Sequence, residues 1–167
     1  MITIGERING MFTDVKNAIK NRDARVVQEL AQRQTDAGAT YLDVNVGTAA
    51  ADQLDAMKWL VEVIQEKVKT PIALDSQKLD VIKAGLEVIK NDVMINSVQG
   101  DPETLDIYME LAKKHNAALI CLTMNKDGVP QNVDTRVEIA VTIVEKATEH
   151  GMDKCGPKTT GLYAGSL

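Results

Sequence analysis

The sequence predicts an α/β protein of parallel strands and helices, and it favours a (β/α)8 barrel, here an incomplete one with only the first five β/α units. Three observations carry this. Along the 167 residues, short apolar runs alternate with longer stretches of helical period. The strand candidates are apolar nearly throughout, the mark of strands covered on both faces by helices. No Gly-x-Gly-x-x-Gly or Walker-type loop follows any strand. That removes the main support for a nucleotide-binding doubly wound sheet, the other arrangement this pattern allows. A whole barrel takes ~250 residues, more than this chain supplies.

The elements follow in order. Residues 2–4 open as a short strand. Helical period runs over 12–20, with Val15, Ala18 and Ile19 on one face. Asp23 is placed to cap a second helix with the stripe Val26, Val27, Leu30 and Ala31, and Gly38 is its stop. Residues 41–46 make a buried strand carrying Asp43 and Asn45. Leu54, Met57, Val61, Ile64 and Val68 recur at helical spacing, and the strand at 71–75 ends on Asp75. Leu79, Ile82, Leu86 and Ile89 mark a helix before the strand at 93–97, which ends on Asn96 and Ser97. Asp101 and Pro102 read as a cap and first helical position, with Leu105, Met109 and Ala112 buried. Residues 118–123 form the fifth strand. Asp134 caps the last helix, with Val137, Val141 and Val144 inward and Gly151 as stop.

The barrel part is expected over 1–151. Residues 152–167 have no period, are rich in Gly, Thr and Lys, and read as an irregular tail on a chain that stops partway through its fold. The first and fifth strands then present open edges that favour association.

Composition narrows the function. With 44% hydrophobic and 26% charged residues, the chain fits one soluble globular domain. A net charge of −5 argues against nucleic acid, whose phosphates want a basic face. No apolar run approaches the ~20 residues that cross a bilayer, and Glu6 comes too early for a signal peptide. Two cysteines, Cys121 and Cys155, lack disulfide-scaffold or metal-site spacing, so a reducing cytoplasm is the expected setting. At 3% aromatics, the chain has too few rings for base-stacking platforms or aromatic cages.

In parallel α/β folds the ligand sits beyond the carboxyl ends of the strands. Those ends here carry Glu6, Arg7 and Asn9, then Asp43 and Asn45, Asp75 and Ser76, Asn96 and Ser97, and finally Thr123, Met124 and Asn125. Asp and Asn are poor strand formers, so packing does not favour them there. Any one of them can close a local bond, such as Glu6 or Asp43 with Arg7, but five polar ends together point to a binding site. Carboxylates and amides in one plane suit a flat heterocycle with N–H donors and a carbonyl. His115 and His150 fall at helix C-termini, where they suit the helix dipole better than acid–base work. No His or Cys accompanies the scattered carboxylates, so no metal is expected. Cys121 reads as a small buried hydrophobe. Trp59, Met57 and Met109 read as core or helix surface.

The segments Gly5-Glu6-Arg7-Ile8-Asn9-Gly10, Leu42-Asp43-Val44-Asn45-Val46-Gly47, Leu74-Asp75-Ser76, Ile95-Asn96-Ser97 and Leu122-Thr123-Met124-Asn125 resemble the pterin-binding methyltransferases. Nearest is the branch of methyltetrahydrofolate:corrinoid/iron-sulfur protein methyltransferases, related to the folate domain of cobalamin-dependent methionine synthase. Dihydropteroate synthase shares the barrel. The likeness runs from residue 1 to about residue 151, with the motifs in order.

The resemblance implies a (β/α)8 barrel, a homodimer, and transfer of the methyl group of 5-methyltetrahydrofolate to the reduced cobalt of a corrinoid (cobalamin-type) held by a partner protein, such as a corrinoid/iron-sulfur protein. No directly bound metal is implied. Asp75 and Asn96 would hydrogen-bond the pterin ring. Glu6, Asn9, Asp43 and Asn45 would line the same mouth, with Ser97 beside Asn96 and with Thr123, Met124 and Asn125 at the rim. The methylated nitrogen must gain positive character before it leaves, so the barrel positions donor and acceptor and helps charge that nitrogen. The family carries a further pterin-binding Asp at its sixth strand and, on the seventh, the Asn that contacts the methyl-bearing nitrogen. Neither has a counterpart here, so no catalytic residue is assigned. A dihydropteroate synthase-like enzyme and a non-catalytic partial barrel are the alternatives.

Overall fold

The computed structural model describes residues 1–152 and the strand at 162–165. The elements in chain order are β1 (Ile4–Asn9), α1 (Thr13–Asn21), α2 (Ala24–Asp36), β2 (Tyr41–Asn45), α3 (Gln53–Lys67), β3 (Ile72–Asp75), α4 (Leu79–Val88), β4 (Val93–Gln99), α5 (Pro102–His115), β5 (Ala118–Leu122), α6 (Val133–Glu149) and β6 (Leu162–Gly165). They group into two compact units, Met1–Val93 and Met94–Leu167.

In the first unit β2 pairs in parallel with β1 on one side and β3 on the other. Leu42, Val44, Ile72 and Leu74 from the strands and Met57, Leu60, Val61, Ile64 and Ile82 from the helices are all fully buried. Each such side chain contributes roughly 1.5–3 kcal/mol of apolar transfer. Gln65 is a buried polar exception that is satisfied at both ends. Its Nε2 donates to the Val88 carbonyl at 2.7 Å and its Oε1 accepts from the Lys90 N–H at 2.8 Å, which ties α3 to the end of α4.

In the second unit β5 pairs in parallel with β4 and β6. Leu105, Met109, Leu119, Cys121 and Met152 are fully buried. The buried thiol of Cys121 is pushed up to about 12, so it is a packed hydrophobe and not a nucleophile.

Helices start where acceptors await their first amides. Asp23 accepts from the Arg25 N–H, Asp52 from Leu54 and Asp55, Asp101 from Thr104, and Asn132 from Thr135. Asp23 and the Asp101–Pro102 start are as expected. Left-handed Gly38 and Gly151 follow α2 and α6.

Several expectations are corrected. β1 begins at Ile4 and runs to Asn9 because its ladder with β2 does, so Glu6, Arg7 and Asn9 are strand residues. β4 reaches Gln99, which puts Asn96 and Ser97 inside the strand. Leu54, in the first turn of α3, is 47% exposed. α6 is capped by Asn132, not Asp134, and buries Ile139, Ile143 and Ala147, while Val137, Val141 and Val144 are 54%, 49% and 58% exposed.

His150 does more than face a helix dipole. Its Nε2 lies 2.8 Å from Asp106 Oδ1 on α5, and Lys146 donates to the other oxygen at 3.0 Å. Both contacts hold the Asp106 carboxyl below its usual range. Finally, residues 162–165 of the segment read as irregular form a parallel strand in register with β5, Leu119 opposite Leu162 and Leu122 opposite Gly165, so β5 is not an edge. The rest of that segment beyond Met152 lies outside the described residues.

Candidate functional site at the strand ends

The register of the first unit places three of the expected residues side by side. Asn9 on β1 is opposite Asn45 on β2, and Asn45 is opposite Asp75 on β3, each at the last position of its strand. Three of the polar strand-end residues thus lie next to one another in the ladder of β1, β2 and β3.

Backbone geometry explains why this row can form. Gly10 donates its N–H to the Asn45 carbonyl at 2.8 Å, and the chain turns away at once. A Cβ on Gly10 would sit 2.0 Å from the Val46 carbonyl oxygen, so only glycine lets the two strand ends approach this closely. Gly47 takes the left-handed φ of +56°, which reverses the chain after β2. Neither glycine announces this role by composition alone. Their signal is the glycine one or two residues past each asparagine.

The side chains form a connected set. Asn45 Nδ2 donates to Asp75 Oδ2 at 2.5 Å, and Asn45 Oδ1 accepts the Gly47 N–H at 2.6 Å. Asn9 Oδ1 accepts the Met11 N–H at 2.9 Å, an Asx turn that fixes its amide. Asp75 is partly buried, and burial raises its carboxyl above the ordinary value. The Asn45 bond opposes this, and the like charge of Glu6 adds to it.

Asp43 lies two residues before Asn45, on the same face of β2 and one layer deeper, and is 3% exposed. Glu6 is exposed and falls in an irregularity of β1, where Gly5 to Ile8 spans the same ladder length as Leu42 to Val44. Such an extra residue re-aims its neighbours. Arg7, weighed as a partner for Glu6 or Asp43, turns to the helical layer instead. Its Nη2 donates to Asp14 at 2.6 Å, its guanidinium lies 4.2 Å from the Phe12 ring centre, and its backbone N–H donates to Gln34 at 3.0 Å.

The second unit holds the remaining candidates. Asn96 is opposite Ile120, and the ladder slips between Asn96 and Val98, so Ser97 is the extra residue of β4. The Asn96–Ser97 peptide is cis. Thr123, Met124 and Asn125 follow β5. The Met124 carbonyl accepts the Gly100 N–H at 2.8 Å. Asn125 is occupied by its own turn: it exchanges backbone bonds with Gly128 at 3.1 and 3.0 Å, and its Oδ1 accepts the Asp127 N–H at 2.9 Å. Candidate residues thus coincide with a ladder irregularity in both units. Among the described residues no group of three or more His, Cys, Asp or Glu is arranged to hold a metal, and no helix is long and apolar enough to cross a membrane.

Parallel strands alternating with helices and ending on a carboxamide–carboxylate row place the chain in the class of parallel α/β proteins, whose ligands sit beyond the carboxyl ends of the strands. Comparison with known proteins makes this specific. Residues 9–156 match the family of pterin-binding enzymes, and the chain belongs to that family. Its alternation of parallel strands and helices is a part of the family's barrel fold.

The chain is 35% identical to a methylcorrinoid:tetrahydrofolate methyltransferase of Eubacterium limosum over 154 residues, covering 91% of this chain and 57% of the relative. It is 34% identical to the methionine synthase of Mycobacterium leprae and 32% identical to that of Mycobacterium tuberculosis. Each match covers 92% of this chain, but only 13% and 14% of those proteins. The chain therefore spans little more than half of the first relative and a small part of the others.

Proposed function

We propose that this chain supplies the pterin-binding strand ends of a methyltransferase that moves a methyl group between 5-methyltetrahydrofolate and the reduced cobalt of a corrinoid carried by a partner protein, a corrinoid/iron-sulfur protein being one candidate. The observation that carries the reading is the in-register row Asn9, Asn45 and Asp75, in a chain matching pterin-binding enzymes over residues 9–156. The name of the Eubacterium limosum relative writes the transfer from corrinoid to tetrahydrofolate. One site serves both directions, since the same transition state is crossed either way.

In this reading Asp75 accepts hydrogen bonds from the amino and ring N–H donors of the pterin, a pair a carboxylate suits. Asn96 and Ser97 contribute amide and hydroxyl groups, and Met124 and Asn125 lie at the rim. Glu6, Asn9 and Asp43 support the mouth. The corrinoid, when its carrier docks, supplies the nucleophilic metal, and the chain's task is to orient the folate toward it. A homodimer and a cytoplasmic setting complete the proposal, the latter in keeping with the free buried thiol of Cys121.

The test is calorimetric titration of the protein with tetrahydrofolate, alongside methyl transfer to a reduced corrinoid. Asp75→Ala and Asn96→Ala should each weaken folate binding by about 1–3 kcal/mol, the cost of one lost polar contact. Methyl loss from the folate should require the corrinoid. Unchanged affinity in both variants overturns the site, and condensation of p-aminobenzoate in place of methyl transfer overturns the reaction.

A further inference from the structure

We propose that Asn45 is a positioning residue, which holds Asp75 as a hydrogen-bond acceptor toward the bound pterin through a one-way relay that starts at the Gly47 backbone. This rests on the pterin reading above and deepens it.

The direction of the relay follows from the backbone. A peptide N–H can only donate, so the Asn45 atom 2.6 Å from Gly47 N is its carbonyl oxygen. That removes the usual ambiguity between amide oxygen and nitrogen. The atom 2.5 Å from Asp75 Oδ2 is then the Asn45 amide nitrogen, which can only donate, so Asp75 Oδ2 must accept. Gly47 is itself held. Its carbonyl accepts from Gln53 Nε2 at 2.7 Å on the first turn of α3, and Asp52 caps that helix. The Asn45 backbone is pinned by the Gly10 N–H.

The surroundings give this relay something to do. Glu6 of β1 acts on Asp75 as a like charge, and Asp43, a second acid, lies on β2 opposite Ala73, two residues before Asp75. Burial and Glu6 push Asp75 toward its protonated form, in which it would offer a proton where the ligand also brings one. The Asn45 N–H is the contact that opposes this, and it leaves Asp75 Oδ1 to meet the pterin donors.

Asn45→Asp tests the relay by reversing it. One oxygen of the new carboxylate still takes the Gly47 N–H, while the other faces Asp75 and repels it when both are ionised. Acidification lets the pair share one proton, which restores an O–H···O contact.

Tetrahydrofolate affinity of Asn45→Asp should fall about tenfold or more at about pH 8, the scale of one charge-assisted bond, and recover toward wild type by about pH 6. Wild type should not improve over that range, and Asn45→Leu should bind poorly at both pH values. The ligand-free melting temperature reads the same proton. It should rise on acidification for Asn45→Asp relative to wild type, and it decides the matter if the variant binds at neither pH. Parallel profiles for Asn45→Asp and wild type in affinity and melting overturn the proposal. Asp75→Ala and Asn96→Ala separate the two readings. If both leave affinity intact the pterin site is wrong, and if Asp75→Ala weakens binding while Asn45→Asp shows no inversion, only the relay is wrong.

Discussion

At Asp75 the fold and the proposed chemistry pull in opposite directions. The residue ends a strand whose other members are fully buried, and burial makes its charge costly. Its folded pKa lies above the ordinary carboxyl value because the group is buried, so the folded state holds the proton more tightly than the unfolded chain does. The stability this proton provides is fully present below the unfolded value and is lost as pH rises through the raised one. At neutral pH the ionised Asp75 is therefore a net cost. Asp75→Asn removes the charge, keeps an oxygen for the Asn45 N–H, and should raise the melting temperature at neutral pH. The scale is about 2–4 °C per kcal/mol relieved for a chain of this size. The gain should vanish once the medium is acidic enough to protonate Asp75, and tetrahydrofolate affinity should fall. Scanning calorimetry across pH checks this, and a variant less stable than wild type at neutral pH contradicts it. Asp75 was legible in the sequence because a carboxylate at the end of an apolar strand has few structural excuses. Arg7 was not legible, because the helix residue that takes its charge, Asp14, is seven positions on and gives no strand-end signal.

For whole elements, period shows that a helix exists but not which side is buried. In α6 the set Val133, Val137, Val141 and Val144 and the set Ile139, Ile143 and Ala147 both satisfy helical spacing. The longer isoleucines reach the core, and the valines stay at the surface. Ile143→Ala should therefore cost about 2–5 kcal/mol by cavity formation, and Val141→Lys should stay within about 0.5 kcal/mol. Urea unfolding of the two variants measures both, and equal losses would mean that the valine face is the packed one. Strand bounds failed for a related reason. β1 and β4 each carry an extra residue at Glu6–Arg7 and at Ser97, and such an irregularity puts polar groups inside a strand where a sequence reading ends it. The caps Asp23 and Asp101 were legible because their chemistry is local: side chain and amide lie within three residues.

Across the molecule, the alternation of apolar strands and amphipathic helices was enough to place the chain among parallel α/β folds, since burial on both strand faces leaves a signature in composition. β6 escaped because Leu162, Tyr163, Ala164 and Gly165 are too short and mixed to show a period, and the strand is defined by its ladder to β5. That ladder has a consequence for the whole chain. Ala118, Leu119 and Cys121 of β5 are buried, and no charged residue lies in the strand to discourage pairing with another chain. Ending the chain before Leu162 would leave the outer backbone groups of β5 without their partners from Leu119 to Leu122. The shortened protein should scatter light at lower temperature and concentration than the 167-residue chain. Amide exchange at residues 119–122 should quicken while that of β2 stays slow. If scattering and exchange are the same in both lengths, β6 does not protect that edge.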